Sequence, residues 1–325
     1  MIPPVLTKGL RLPIVAAPMF LVSGPELVAA CCLNGVIGTF PALNQRSTAG
    51  LAEWLRELQQ CLAPHAGTAA AYGVNLIVHK TNPRLEADLE VCVQQRVPLI
   101  ITSLGAVSTL VERVHSYGGL VFHDVTTLRH AEKAAAAGVD GLILVCAGAG
   151  GHAGVLNPFA FTAAVRRFFK GTILLAGCIN AGNDIAAAQT LGADLAYMGT
   201  RFIATQESRA SDEYKQMLLR AGPDDVVYTP AVSGVPGNFL RESLQLAGVD
   251  ITAGKASAVN LGAELAQQGG QHEDAKAWRD VWSAGQGVAG IEDVPAVAAL
   301  VTRLQDEYTS ASRRAAINGS FGSGH

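Results

Sequence analysis

The chain holds 325 residues, 49% hydrophobic, 16% charged and 6% aromatic, with 24 basic against 27 acidic side chains for a net charge of −3. That balance excludes a disordered chain, which needs low hydrophobicity and high net charge, and leaves ample apolar surface for one large domain or two smaller ones. It also lacks the basic field that would hold phosphate backbones or anionic lipid, so neither nucleic acid nor a membrane is an expected partner.

Taken in chain order, the first elements imitate membrane signals. Lys8 and Arg11 precede the apolar run Leu12–Val22, and 27–45 carries no charge. Pro13 and Pro18 interrupt the first run, Asn34, Gly35, Gly38 and Pro41 the second, and neither supplies the ~20 predominantly apolar residues of a spanning helix. Both read as pieces of a core. The same kind of short apolar run, ending in small or polar residues, recurs eight times: Leu12–Met19, Gly35–Leu43, Ala70–Ile77, Pro98–Gly105, Leu120–Thr126, Gly141–Gly148, Thr172–Asn180 and Leu195–Ile203. Near-continuous apolar runs of this length suit strands buried on both faces of a parallel sheet.

Helical patterns lie between them. Ser47 is placed to cap a helix whose Leu51, Trp54, Leu55, Leu58 and Leu62 share a face. Thr127 can cap a second, closed by Gly138, and 184–191 is closed by Gly192. Two similar words, AAGVDGLIL at 136–144 and TLGADLAYM at 190–198, lead from such a closure through an Asp into the next strand. Eight strands alternating with helices point to an α/β chain folded as a (β/α)8 TIM barrel over 1–205, against the alternative of an open doubly wound sheet. Beyond residue 206 the strand rhythm stops. Turns at 222–237 separate helical patterns after Ser211, at 259–268 and at 294–306, so 206–325 reads as a mainly helical extension packed over the barrel and contributing to its active site. Six separated cysteines with no CxxC or Cys/His cluster argue for free thiols in a reducing cytoplasm, without disulfide or metal site.

In such a barrel, chemistry sits at the C-terminal strand ends. These ends supply Ala17, Pro18, Met19, Asn75, Thr102, Ser103, His123, Asp124, the loop GAGGHAG at 148–154, Gly177, Cys178, Gly199 and Thr200. The glycines ending the seventh and eighth runs suit a backbone phosphate cradle, although loops also use glycine for turns alone. The word Gly148 to Ala153 matches the dinucleotide pattern G-x-G-x-x-A, yet no Asp or Glu occurs from 141 to 183 to bind a ribose. The loop is better read as flexible or close-packed backbone presenting His152 over a planar ligand. Lys80 alone lies near a strand end and Asp124 is the one acidic group there, so Schiff-base, paired-carboxylate and divalent-metal chemistry lack support. His123 and Asp124 are adjacent on a strand and face opposite sides. His115 and His130 fall in helical patterns as surface residues. One histidine beside an anion cradle suits a cofactor that brings its own redox chemistry.

The words PIVAAPM at 13–19, GVNL at 73–76 and GAGGHAG at 148–154 then combine with AGCINAGNDIAAAQTLGADLAYMGTRFIAT at 176–205, SGVPGNFLR at 233–241 and WSAGQG at 282–287. In that order they resemble the nitronate monooxygenase (formerly 2-nitropropane dioxygenase) family of FMN-dependent barrels. The resemblance implies FMN at the barrel mouth, its phosphate on Gly177, Cys178, Gly199 and Thr200. The ring would lie near Ala17, Pro18, Met19 and Asn75, with Ser103, Asp124 and Gly151 alongside and Gln286 closing the site. It implies His152 as the base, with a near-neutral pKa, and oxidation of nitronates or nitroalkanes by O2 to a carbonyl compound and nitrite. Related branches imply an alternative, NAD(P)H-dependent reduction of quinones or enoyl thioesters, and a flavin-binding scaffold is the non-enzymatic alternative. A homodimer is compatible with the resemblance. The chain departs from many relatives in lacking an acid before the GGH word, in Cys178 where a second glycine is usual, and in Asp124 where some carry lysine.

Overall fold

The computed structural model describes residues 1–105, 107–251 and 281–318. The eight apolar runs form the parallel strands β1 (Ile14–Ala16), β2 (Ile37–Pro41), β3 (Tyr72–Ile77), β4 (Leu99–Ser103), β5 (Leu120–Val125), β6 (Gly141–Val145), β8 (Thr172–Ala176) and β9 (Leu195–Met198). They close into a barrel in that order, β9 pairing with β1 through Val15↔Tyr197. The barrel, and not the open sheet, is therefore the fold.

Its interior is packed, not hollow. Val15, Ile37, Leu99, Ile101, Phe122, Ile143, Leu174 and Leu195 meet on the axis, and Leu6 of the short helix α1 (Pro4–Thr7) joins the same cluster. The alternate strand residues face outward against helices including α2 (Pro25–Leu33), α3 (Thr48–Leu62), α4 (Leu85–Gln94) and α5 (Ser108–His115). The caps form as their sequences require: Ser47 accepts from Gly50 N–H, and Thr127 from His130 N–H at the start of α6 (Leu128–Ala136). The two repeated words perform one job twice. Asp140 accepts the Val121 N–H at 2.8 Å and Asp194 the Ile173 N–H at 2.8 Å, each carboxylate fixing the register of a neighbouring strand at the N-terminal barrel end. His115 bonds Asp140 there at 2.8 Å.

After α7 (Pro158–Arg166), α8 (Gly182–Thr190) and α9 (Thr200–Ile203), the C-terminal part departs from the mainly helical expectation. Helix α10 (Asp212–Arg220) is capped by Ser211, but the segment expected as turns contains β10 (Val226–Thr229), which pairs antiparallel with β11 (Gly237–Leu240). The hairpin adds a two-residue strand, β7 (Gly151–His152), from inside the GAGGHAG word. Four-residue and two-residue strands are too short to leave a period in sequence. Short α11 (Arg241–Leu246) follows; the helix expected at 294–306 is α12 (Val297–Asn318), and the one at 259–268 lies outside the described residues. All six cysteines are free, with Cys31, Cys32, Cys92 and Cys146 buried and Cys61 and Cys178 exposed. Among the described residues no helix is long and apolar enough to cross a membrane.

Candidate functional site

A cavity of about 790 Å³ opens at the C-terminal end of the barrel. Its wall contains Ala17, Pro18, Met19, Asn75, Ser103, Asp124, Gly151, His152, Gly177, Cys178, Gly199 and Thr200, so twelve sequence positions spread over 184 residues converge. Gln286 is the exception. Its N–H donates to Gly148 O at 2.9 Å while its side chain is exposed, and the neighbouring Gly285 and Gly287 form the wall instead. The β1–α2 loop is held rigid: Asn44 donates to Met19 O and Ser23 O, and Ser23 Oγ accepts the Met19 N–H.

Beside β8 and β9 the backbone presents N–H groups to the cavity. The N–H groups of Gly177, Cys178, Ile179, Gly199 and Thr200 find no acceptor among the described residues, although all five residues line the cavity. Unpaired main-chain donors are rare in folded proteins and mark a place where a ligand completes the pairing. Gly199 sharpens the point. A Cβ built there meets protein atoms only at ordinary distances, 3.7 Å from Ala17 Cβ, so internal packing does not require glycine; a ligand drawn close would. Helix α8 begins at Gly182, not directly after Cys178, and Asp184 already accepts the Asn180 and Ala181 N–H groups at 2.9 Å. The cradle is therefore loop backbone and not the α8 terminus. Cys178 occupies the left-handed region with φ 57°, where glycine would be unstrained.

His152 sits on clamped backbone, which resolves the flexible-or-packed alternative in favour of packing. Gly151 and His152 pair with Asn238 and Gly237 of β11, and Asn238 Nδ2 donates to Ala149 O at 2.7 Å. On the other side Gly150 and Gly285 meet backbone to backbone, where added Cβ atoms would come within 2.8 Å of main-chain atoms. This contact explains why both words are glycine-rich. His152 Nε2 lies 2.9 Å from Ser233 Oγ, whose own proton points to Val235 O. In that arrangement Nε2–H donates to Ser233 and Nδ1 is the basic nitrogen of the neutral ring. Burial pushes the imidazole pKa down to about 4, not near neutrality as expected.

The cavity floor carries a second polar chain. Asn75 Nδ2 donates to Ser103 Oγ at 2.8 Å, and Ser103 Oγ donates to Asp124 Oδ2 at 2.5 Å. Desolvation raises the Asp124 pKa to about 6 against the lowering effect of Ser103. Tyr197 and Ser233 also line the site and were not singled out in sequence, since isolated hydroxyls carry no spacing signal. Among the described residues no group of three or more His, Cys, Asp or Glu is placed to hold a metal ion.

Comparison with known proteins agrees with this architecture. A family model described as nitronate monooxygenase matches residues 43–307. The chain is 30% identical over 240 residues to an octahydro-indene-4-carboxyl-CoA dehydrogenase of Mycobacterium tuberculosis, covering 73% of this chain and 65% of that protein's length. It is 26% identical over 288 residues to a nitronate monooxygenase of Paraburkholderia phytofirmans, covering 74% and 77%. Among solved structures, nitroalkane oxidase from Streptomyces ansochromogenes superposes with a TM-score of 0.81 at 25% identity, over 96% and 99% of the two chains. FabK from Thermotoga maritima gives 0.78 at 23% identity over 96% and 97%, a likeness of fold. The relatives are named as oxidoreductases, the matched model spans most of the barrel and its extension, and the chain belongs to the nitronate monooxygenase family.

Proposed function

We propose that this oxidoreductase binds FMN and oxidises alkyl nitronates with O2 to a carbonyl compound and nitrite. The observation that carries the reading is the set of five unpaired backbone N–H groups at the ends of β8 and β9, a nest shaped for a phosphate. Gly177, Cys178, Ile179, Gly199 and Thr200 would hold that phosphate, and Ala17, Pro18, Met19 and Asn75 would border the ring. FMN supplies one-electron transfer from nitronate to O2 when bound. The protein's part is orientation, exclusion of water and control of protons. With its pKa near 4, His152 is uncharged at neutral pH and a weak base. It suits hydrogen bonding to a substrate that arrives already ionised better than removal of a proton from a neutral nitroalkane.

A second reading has its own support: the CoA-ester dehydrogenase similarity and the size of the cavity favour NAD(P)H-dependent reduction of a quinone or an enoyl thioester. The visible spectrum of the purified protein tests the shared premise, since a colourless preparation that takes up no FMN contradicts both. Oxygen uptake with ethylnitronate, set against NADH consumption with a quinone, separates them. The first reading requires oxygen uptake and nitrite without NADH.

A further inference from the structure

The cavity has an arm that the flavin reading leaves unused. It leaves the barrel axis between β5 and α6 and follows the helix to Ala134, seven residues from the Thr127 cap, or about 10 Å at 1.5 Å per residue. His123 lines it from the strand. His130 and Lys133 line it from one face of the helix, three residues apart. The strand side is buried and polar. His123 is only 6% exposed, and its Nδ1 lies 2.7 Å from Thr102 Oγ1, whose proton points to Phe122 O. His123 therefore donates through Nδ1, and Nε2 has no hydrogen-bond partner among the described residues. On a residue that lines the cavity, a ring nitrogen open to solvent and without a protein partner among the described residues is placed to meet a ligand.

The charge around it has one sign. His130 and Lys133 make no ion pair and no side-chain hydrogen bond with a described residue. Asp124 points to the opposite, axial face, where it binds Ser103, and the outward residues of β6 are Leu142 and Leu144. Burial, together with the nearby His130 and Lys133, pushes the His123 pKa down to about 4. Among the described residues these three basic groups pair with no carboxylate, in a chain of net charge −3.

We propose that this arm is a binding site for an anionic oxygen group, a phosphate or a carboxylate, separate from the cradle at β8 and β9. Lys133 and His130 meet the anion at the rim and His123 meets it at depth. Because Nδ1–H is committed to Thr102, Nε2 donates to an anion only after taking up a proton. Binding therefore draws in a proton and strengthens as pH falls. Beside His152, the arm would anchor the far end of whatever reacts over the flavin, a role that rests on the reading above. The site itself does not. A phosphate would come from a nucleotide-type co-substrate, and a carboxylate from the oxidised substrate.

The test is calorimetric titration of the purified protein with inorganic phosphate and with glutarate at pH 6 and pH 8, with flavin absorbance followed in parallel. Expected is binding at pH 6 with proton uptake, weaker at pH 8, and about fivefold to tenfold weaker again in Lys133→Gln, as for loss of one charge-assisted hydrogen bond at a partly exposed position. His130→Gln should weaken it less, and His123→Gln should lower the proton uptake measured with glutarate, whose carboxylates are largely ionised at both pH values. Neither Lys133→Gln nor His130→Gln should change flavin content, since both side chains are exposed. Preference for phosphate over glutarate identifies the nucleotide source, the reverse preference the substrate source, and either supports the site. Affinity unchanged in Lys133→Gln, absence of binding at pH 6, or phosphate that binds only by displacing flavin overturns it. A protein without flavin that still binds phosphate in this way leaves the arm standing and removes the flavin reading alone.

Discussion

At the N-terminal end of the barrel apolar packing and paired polar groups prevail, with one backbone exception, Arg96 at φ 50° in the turn into β4. Leu, Ile, Val and Phe fill the axis, Asp140 and Asp194 each accept the amide of a neighbouring strand, and Asp194 also binds Arg166 and the chain's amino terminus. At the C-terminal end the same strands finish in unpaired amides, a histidine held near pKa 4, a carboxyl raised to about 6, and Leu21, Leu104 and Cys178 at positive φ. Local costs of this kind persist where the surrounding fold over-determines them and where a ligand uses them. Substitutions at the two ends should therefore fail differently: stability first at one, binding and turnover first at the other.

The largest effect belongs to the cradle. Gly199→Val should leave the melting temperature within a few degrees yet weaken FMN binding by about a hundredfold or more, because side-chain atoms would occupy the approach to the amides. Full flavin occupancy in that variant would remove the cradle. Next, His152→Ala should keep its flavin while raising KM for ethylnitronate about tenfold or more, as for loss of one hydrogen bond to an ionised substrate. An unchanged KM would take that hydrogen bond away from this residue.

A smaller effect comes from Asp124. Its carboxyl ionises as pH rises through about 6, placing a negative charge under an anionic substrate, so KM for ethylnitronate should rise across that range. The expected change is about tenfold or less, and Asp124→Asn should flatten the profile. At the opposite barrel end, Asp194→Ala should cost about 1–3 kcal/mol by leaving the Ile173 N–H unpaired, read as lower thermal stability with kcat unchanged. Altered turnover there would blur the division between the two ends.

The barrel was legible because each strand is buried on both faces and writes a continuous apolar run, and the glycines at the ends of β8 and β9 because they interrupt that run. The clamp on His152 was not. Its strands of two and four residues are too short for a period, and their partners lie 85 or more positions downstream. Gln286 stands outside the cavity wall, its main chain bonded to Gly148 and its flanking glycines forming the wall, a division that a recognisable word does not reveal. The lowered pKa of His152 comes from burial by distant segments, which neighbouring glycines do not report.

The route by which His152 is secured bears on how the molecule is made. Strands β1 to β9 are finished by residue 198, but the hairpin that pairs with His152 ends at 240 and the glycine contact comes only at 285. On the ribosome the cylinder can therefore close while His152 still lacks its strand partner. The clamp arrives last, with a stretch of polypeptide that adds nothing to the cylinder's own hydrogen-bond ladder.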